Sequence, residues 1–390
     1  MTHILNNGKT RNAVLQAAYV LFWVVLVLTC MLVARANLAE SNIVSGFDFL
    51  WKSTGWKVGF SLIEFQASDP YWKVLVIGLM NTLFLGVIGL VLATVVGIVV
   101  GMARTADNDL ANLLGTIYVE TFRNIPLIVQ VFFWYAVVTR FPGPRNALSY
   151  VGDSIFLSSR GIYVPGLNIT GLSAFHGIVA FLVALGLIVW VSAARRFRRM
   201  ERGPKRWLRL AILLGGLIVM LVIFALGRIP HTTMIGIPEL KGLAFRDGIR
   251  VPPELTALAI SMAIYGGAYI AEIVRGGFKS VGHGQVEAAQ SLGLTPWQVF
   301  SQVRFPLALR AMLPILTNQY IWLIKATTLG IAIGFTDFFM VVSISINQSG
   351  QTLELIGILM AGFLIINFGL AAILNRINKT IALKGHQLRA

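Results

Sequence analysis

The sequence has few charged residues and few of the residue types that build metal sites. Only 12% of its 390 residues are charged, whereas a soluble domain carries about 25% charged residues. With 56% hydrophobic residues, a water-soluble fold could not cover its own surface, so the excess must face lipid. The single cysteine, Cys30, excludes an internal disulfide and a cysteine-based metal site. The five histidines show no pair at ligand spacing, so we predict no metal site.

Sequence motifs for catalysis are also missing. A phosphate-binding loop has the pattern Gly-x4-Gly-Lys-Ser/Thr. Gly8-Lys9-Thr10 matches only the end of that pattern, because position 3 is His. No Ser/His/Asp set or metal cluster stands out either. We therefore predict that this chain is not an enzyme and holds no cofactor of its own.

What the sequence does contain is a series of apolar runs. They lie near 14–34, 74–102, 125–139, 172–194, 208–227, 254–274, 311–336 and 353–374. A spanning helix needs about 20 residues, and only the third run is clearly short. The first run, Ala13 to Val33, is longer than the roughly 7–15 residues of a signal-peptide core. We therefore predict an uncleaved transmembrane helix there.

Basic residues predict the orientation of these spans. If the N-terminus is cytoplasmic, 20 of the 32 Lys and Arg fall in cytoplasmic segments and 11 in external ones. This bias favours both termini inside. The cluster Arg195-Arg196-Phe197-Arg198-Arg199 is either a topology anchor, which is the favoured interpretation, or a site for lipid headgroups or a partner. No basic stripe is interleaved with stacking aromatics, so nucleic acid is not a predicted partner.

Between the first two runs, the segment 45–68 is moderately apolar but is interrupted by Asp48, Lys52 and Glu64. Aromatic residues such as Trp51 are typical of the membrane boundary. We predict an external helix that lies on the surface and does not form a ninth span.

The longest polar segment between late spans, 275–310, has strong local helix signals. Good helix formers predict a short helix from Gln285 to Leu292, and Gly293 is a typical residue just after a helix C-terminus. Thr295 and Pro296 suit the N-cap and first position of a second helix. We expect this second helix to run to about Arg304.

A break before Pro306 is expected next, because the residue before a proline disfavours the helical conformation. Two short helices joined at a glycine form a compact knob that could dock in a groove of a partner protein.

This segment resembles the loop of ATP-binding-cassette (ABC) importer permeases, which has the pattern Glu-Ala-Ala, three residues, Gly, nine residues, Ile-x-Leu-Pro. Glu287-Ala288-Ala289, Gly293 and Val303-Arg304-Phe305-Pro306 keep that spacing. The resemblance implies a coupling loop that sits in a cleft of a separate ATPase, which uses ATP and Mg²⁺. The residues implied in coupling are Gly284, Gln285, Glu287, Ala288, Ala289, Gly293 and Pro306.

Further segments are similar to polar amino-acid permeases. These are Asn81-Thr82-Leu83, Glu120 to Leu127, Gly267 to Gly277, Asn318-Gln319 and Leu323 to Leu329. The family form of the second segment has Arg-Gly-Thr-Pro where this chain has Arg123-Asn124-Ile125-Pro126, and Ala326 stands where the family has Asp. The enlarged layout resembles the Q-type subunit of the general L-amino-acid permeases.

The fold class implied is an all-α integral membrane protein with about eight transmembrane helices. A five-helix type I ABC importer core would be joined by an N-terminal helix and an inserted helical hairpin. We divide the chain into 1–73, with the first helix and the external segment; 74–140, the first part of the core; 141–250, an inserted external loop and hairpin; and 251–390, the second part of the core.

Polar residues inside the spans are candidates for a translocation path or for contacts between helices. Lys325 either meets a substrate carboxylate or, the favoured interpretation, pairs with an acid on a neighbouring helix, because a charge in the bilayer core costs at least about 2.5–3.5 kcal/mol. Glu120 and Arg123, and likewise Glu272 and Arg275, stand three residues apart and favour ion pairs. The complete candidate set is Asn81, Thr82, Glu120, Arg123, Gln130, Glu272, Arg275, Gln319, Lys325, Thr327 and Thr328.

Thr327 and Thr328 have a structural alternative, since threonine hydroxyls can bond the backbone of their own helix. Small residues recur every fourth position at Ala93, Gly97 and Gly101, a stripe that is typical of close helix packing. That stripe could also serve the contact with a second permease subunit.

The function implied is the permease subunit of an ABC importer for L-amino acids, of polar, acidic or broad specificity, working by alternating access in the bacterial inner membrane. The implied partners are an ATPase dimer, a related second permease subunit, a periplasmic or extracytoplasmic amino-acid-binding protein and membrane lipid. An ion-coupled secondary amino-acid transporter is the alternative, although such proteins show internal repeats and intramembrane acids that are not evident here.

Overall fold

The computed structural model describes residues 8–40, 46–193, 202–230, 232–242 and 244–381. Seven helical segments in this part of the chain are long and apolar enough to cross a membrane, and one bent pair makes an eighth candidate. The predicted helical membrane fold with about eight spans is therefore confirmed. The α-helices are α1 (Gly8–Glu40), α2 (Tyr71–Ala103), α3 (Asp109–Asn124), α4 (Leu127–Thr139), α5 (Gly171–Ala193), α6 (Arg202–Leu226), α7 (Pro253–Lys279), α8 (His283–Ser291), α9 (Pro296–Gln298), α10 (Phe305–Lys325), α11 (Phe338–Ser349) and α12 (Thr352–Ile381).

Helices α2 and α7 form the centre of the core, and glycines let them approach closely. A Cβ added at Gly97 would lie 2.5 Å from Cβ of Ile270, and one added at Gly101 would lie 2.6 Å from Cβ of Val274. Ala93, on the same stripe, is fully buried. The predicted close packing is confirmed, but its partner is α7 of the same chain. The suggested contact of this stripe with a second subunit is therefore wrong.

The third span is broken. Helices α3 and α4 meet at an angle of 102°, because Pro126 cannot continue α3 and Ile125 adopts the extended backbone that precedes a proline. Gln130 Nε2 donates to the carbonyls of Phe122 and Ile125, at 2.9 and 3.1 Å, and so satisfies two groups at the end of α3.

The knob after α7 follows the predicted signals as far as Arg304. Gly293 has a φ of +76° after α8, and Thr295 forms a capping box with Gln298 at the start of α9. The predicted break before Pro306 is wrong. Residues Val299–Arg304 form π turns in which the Phe305 N–H bonds to the Phe300 carbonyl, and α10 continues from them. The hydrogen-bond register is already altered where the proline N–H is missing, so the helix can pass through it.

Helix α10 tightens into a 3₁₀ segment, Ala326–Ile333, which ends at Gly334 with a φ of +83°. A break at 334–337 separates it from α11. The Phe338 ring packs where a Cβ at Gly362 of α12 would lie, at 2.3 Å, and Leu355 joins the same buried cluster. Helix α11 therefore runs back along the first half of α12, and the break lies inside the helical layer.

The external segment differs from its prediction. Only Asp48–Trp51 forms a single 3₁₀ turn, so a surface helix over 45–68 is wrong for the described residues from 46 onward. Positive φ values at Gly46 and Gly55 interrupt the helical path. The ring of Phe60 stacks on Phe84 of α2 and on Phe335 of the break, with centroids 6.1 and 6.0 Å apart. The segment therefore inserts an aromatic side chain between helices, an arrangement that a surface helix would not allow.

The insertion carries a small β layer where an external loop was predicted. Its strands are β1 (Leu148–Tyr150), β2 (Ile155–Ser158), β3 (Gly161–Val164), β4 (Gly166–Leu167), β5 (Ile235–Gly236), β6 (Glu239–Lys241), β7 (Ala244–Arg246) and β8 (Ile249–Val251). They form an antiparallel sheet in the order β1-β2-β3-β8 and two antiparallel pairs, β4-β5 and β6-β7. Phe245 packs on Phe156 and Tyr163, with centroids 4.6 and 4.5 Å apart.

Helices α5 and α6 form the predicted hairpin, and each has the other as its main partner. A Cβ at Gly216 would lie 2.3 Å from Cβ of Ala184, and one at Gly177 would lie 2.3 Å from the Phe224 ring. The two ends of the hairpin lie together beside the β layer. The N–H of Thr170, just before α5, donates to the carbonyl of Gly227, just after α6, at 2.9 Å.

Candidate transport sites

The knob formed by α8, α9 and the π turns presents apolar side chains to solvent. Leu292 is 81% exposed and Trp297 is 72% exposed. Of the residues implied in coupling, Ala289 is buried, Pro306 is partly buried, and Gly284, Gln285, Glu287, Ala288 and Gly293 are exposed. Sequence reasoning missed Leu292 and Trp297, although their place on either side of Gly293 could have pointed to them. Exposed apolar groups on a polar segment indicate a surface that docks on another protein.

Aromatic stacking fixes this knob to the membrane helices. The ring of Phe300 stacks on Phe278 of α7 at 5.9 Å with an interplanar angle of 11°. It also packs on Trp297 at 5.8 Å and on Phe305 at 6.2 Å. A displacement of the knob would therefore move α7 and α10 with it.

Two arginines share one carboxylate at the knob end of the core. Arg275 and Glu272 form the predicted ion pair one turn apart on α7. Arg104, just after α2, also binds Glu272, a contact that sequence reasoning missed. Arg104 is only 7% exposed. This trio connects α2 to α7 and stabilises the bundle.

Several predicted polar residues satisfy backbone groups inside the bundle. Asn81 Nδ2 donates to the carbonyls of Phe60 and Thr336, at 2.9 and 2.7 Å, while Thr82 Oγ1 accepts the Phe338 N–H at 2.9 Å. Both side chains are fully buried and hold the break at 334–337 against α2. Breaks at membrane depth require such partners.

Thr327 and Thr328 act on their own helix, as the structural alternative predicted. Their hydroxyls donate to the carbonyls of Ile324 and Lys325, each at 2.8 Å.

Arg123 does not form the expected ion pair with Glu120. No salt bridge joins these two described residues; instead, the Arg123 guanidinium lies 5.0 Å from the ring centroid of Tyr269. The Tyr265 hydroxyl donates to the Tyr269 hydroxyl at 3.3 Å, and the Tyr265 ring lies 5.4 Å from that of Trp322. We call these four residues, Arg123, Tyr265, Tyr269 and Trp322, the cation–aromatic strip. The Arg123 Nε is buried and finds no hydrogen-bond acceptor in the described chain.

Lys325 lies three residues after Trp322, at the end of α10, and its side chain is exposed. No salt bridge to an acid is found for it in the part of the chain that the structure describes. Gln319 is partly exposed two turns earlier on the same helix. Among described residues, no group of three His, Cys, Asp or Glu side chains could hold a metal ion.

The chain is similar in sequence to known membrane transport proteins. Residues 211–381 match the family described as the binding-protein-dependent transport system inner membrane component. The chain is 40% identical to the putative amino-acid ABC transporter permease protein YhdX of Escherichia coli, over 89% of this chain and 88% of that protein. It is 36% identical to the general L-amino acid transport system permease protein AapQ of Rhizobium johnstonii, over 89% and 86%. It is 29% identical to the glutamate/glutamine/aspartate/asparagine transport system permease protein BztB of Rhodobacter capsulatus, over 98% and 96%.

Proposed function

The chain belongs to the amino-acid permease family of ABC importers, and on that basis we propose that it forms one half of an alternating-access path for polar and acidic L-amino acids. The resemblance predicted from Glu287-Ala288-Ala289 and its spacing is thereby confirmed. The chain supplies no catalytic group in this proposal. A separate ATPase dimer binds ATP and Mg²⁺, and the permease responds to its closure.

Arg123 carries the proposal for the substrate. Its guanidinium rests on the Tyr269 ring, and its buried Nε has no acceptor in the described chain. A cation held over an aromatic face keeps its charge available for a carboxylate, and a guanidinium binds carboxylates through paired hydrogen bonds. Every amino acid has the α-carboxylate that this site would take. The other residues of the cation–aromatic strip, Tyr265, Tyr269 and Trp322, supply apolar faces for the rest of the amino acid.

The names of the relatives support the substrate class. BztB is named for transport of glutamate, glutamine, aspartate and asparagine, and AapQ for general L-amino acid transport. On this support we propose that the substrate range of this chain includes acidic amino acids and their amides.

Chain continuity suggests how the two sides of the membrane are linked. Strand β8 ends at Val251, Pro252 and Pro253 begin α7, and α7 ends four residues before the knob helix α8. Arg250 Nε donates to the Arg160 carbonyl at 2.9 Å, which fixes β8 to the layer. We propose that the amino-acid-binding protein docks on the β layer, that the ATPase docks on the knob, and that α7 transmits the change between them.

A related second permease subunit would complete the path. Lys325 is exposed and Gln319 is partly exposed on α10, and they would line the side that this subunit closes. In the bacterial inner membrane, with both termini cytoplasmic, the knob would face the ATPase. An ion-coupled secondary transporter is not favoured, because the relatives are permeases of ABC systems.

The test is uptake of labelled L-glutamate and L-glutamine in cells that lack this chain and carry it back as wild type or Arg123→Gln. Loss of a charged hydrogen bond predicts a fall in uptake of about tenfold or more at low substrate concentration. Arg123→Lys should recover part of the loss, and Lys379→Gln, a basic residue on exposed α12, serves as the control.

Unchanged uptake in Arg123→Gln, with the variant present in the membrane at wild-type level, would reject Arg123 as the carboxylate site. If restoring the wild-type chain returns uptake of no amino acid, the substrate class itself is wrong.

A further inference from the structure

A cavity of about 520 Å³ opens at the end of the hairpin that lies far from the β layer. It is lined by Ile188 of α5 and by Arg206, Trp207, Arg209, Leu210 and Leu213 of α6. One end of the lining is cationic and the other is aliphatic. A ligand that fills this cavity must therefore combine a negative group with an apolar part.

The depth of the cavity follows from the length of α6. A spanning helix uses about 20 residues, and counting back that number from Leu226 reaches Trp207. Trp207 is 71% exposed, and tryptophan is enriched at the membrane–water interface. Lys205 and Arg206 therefore lie at headgroup level, and Arg209 lies just inside it.

The two arginines that line this cavity, and Lys205 beside them in sequence, form no salt bridge within the described chain. The Arg209 Nε is buried and has no hydrogen-bond acceptor. No salt bridge in the described residues involves Lys205, Arg206 or Arg209. Lys205 Nζ instead donates to the Ser192 carbonyl of α5 at 3.4 Å, at the mouth of the hairpin. The sequence from 195 to 209 contains eight Lys and Arg and a single acid, Glu201.

A topology anchor alone would explain the number of basic residues, since positive charge determines which loops stay inside. It would not require a cavity between two helices, an aliphatic wall below the arginines or a buried guanidinium nitrogen without an acceptor. Basic pockets between helices at the inner membrane surface bind anionic headgroups.

We propose that this cavity binds an anionic phospholipid, with its phosphate between Arg206 and Arg209 and its acyl chains along Ile188, Leu210 and Leu213. Guanidinium groups pair with phosphate oxygens through parallel hydrogen bonds. A soluble phosphate offers the same oxygens but leaves the aliphatic wall uncovered. The lipid is therefore the ligand that satisfies both ends of the lining.

The test uses the complete transporter in nanodiscs. Discs of phosphatidylcholine with a small fraction of phosphatidylglycerol are prepared, and lipids retained after detergent extraction are counted by native mass spectrometry. The wild type should retain phosphatidylglycerol selectively. Arg206→Gln/Arg209→Gln should retain at least about tenfold fewer phosphatidylglycerol molecules, because each basic residue at the surface contributes to the attraction.

Two further variants make the result specific. Lys379→Gln/Lys384→Gln removes the same charge from the last 12 residues of the sequence and should keep wild-type retention. Arg206→Lys/Arg209→Lys keeps the charge without the forked donors and should give an intermediate value. Assembly with the ATPase, measured on the same samples, shows that each variant is folded.

Two outcomes would overturn the proposal. The first is equal retention of phosphatidylglycerol by the wild type and Arg206→Gln/Arg209→Gln. The second is displacement of the retained lipid by inorganic phosphate at millimolar concentration, which would identify a soluble phosphate as the ligand.

Discussion

The core and the inserted hairpin cross the same membrane but are stabilised differently. In the most apolar 18 residues of α7, 67% are buried inside the protein, whereas none of the most apolar 18 residues of α6 are buried. The core helices meet through glycines and a shared carboxylate, while α5 and α6 meet mainly each other. Packing within the chain thus surrounds the core helices, whereas the rest of the described chain leaves most of the hairpin surface uncovered.

Removing the shared carboxylate should have the largest effect. Glu272→Ala leaves Arg104, which is only 7% exposed, without its anion. Breaking a buried pair costs about 3–5 kcal/mol, and partial exposure of Glu272 should reduce this to about 2–3 kcal/mol of unfolding free energy. Thermal unfolding in detergent measures the loss.

The matched change is Glu239→Ala on the β layer, where the carboxylate is 65% exposed and 3.4 Å from Lys241. Exposed pairs contribute little, so its unfolding temperature should equal that of the wild type. Equal losses in both variants would remove the distinction between the core and the insertion.

A smaller effect is expected from one methyl group at the α2–α7 contact. Gly97→Ala places its Cβ 2.5 Å from Cβ of Ile270, and overpacking costs about 1–3 kcal/mol. Gly215→Ala on α6 meets nothing within 4 Å and should be neutral. Stability in detergent compares the two, and a loss only in the α6 variant would contradict the packing described for α2.

The smallest change in stability, with a large change in function, is expected at the knob. Gly293→Asp introduces a side chain at a φ of +76° with no atom within 4 Å, which costs about 1 kcal/mol. Gly350→Asp, at a φ of +72° and equally open, gives the same strain far from the knob.

We expect Gly293→Asp to separate ATP hydrolysis from amino-acid uptake and Gly350→Asp to keep both. Reconstituted vesicles measure the two rates together. Normal transport by Gly293→Asp would show that this glycine is not needed for coupling.

Long apolar runs made most of the spans predictable, because about 20 apolar residues determine a spanning helix without tertiary information. The knob was predictable for a similar reason, since caps such as Thr295 and turns such as Gly293 act locally. The predicted break before Pro306 was wrong because the π turns depend on all six residues Val299–Arg304 and not on the proline alone.

The missing predictions concern contacts distant in sequence. Strands of two to four residues carry almost no periodicity, so the β layer could not be recognised. The contact of Arg104 with Glu272 joins residues 168 positions apart. Arg123 was expected to pair with Glu120 because their spacing allows it, but Tyr269 of another helix offers the aromatic face that the guanidinium contacts.

The hydrogen bond from Asn81 to Thr336 has a consequence for biogenesis. The two residues are 255 positions apart, and a ribosome adding about 5–20 residues per second needs roughly 13–50 s to reach the second after the first. During that interval α2 carries its amide into the bilayer before the carbonyl it will bond has been synthesised. We expect this helix to wait beside the insertion machinery, or beside water, until the last third of the chain arrives.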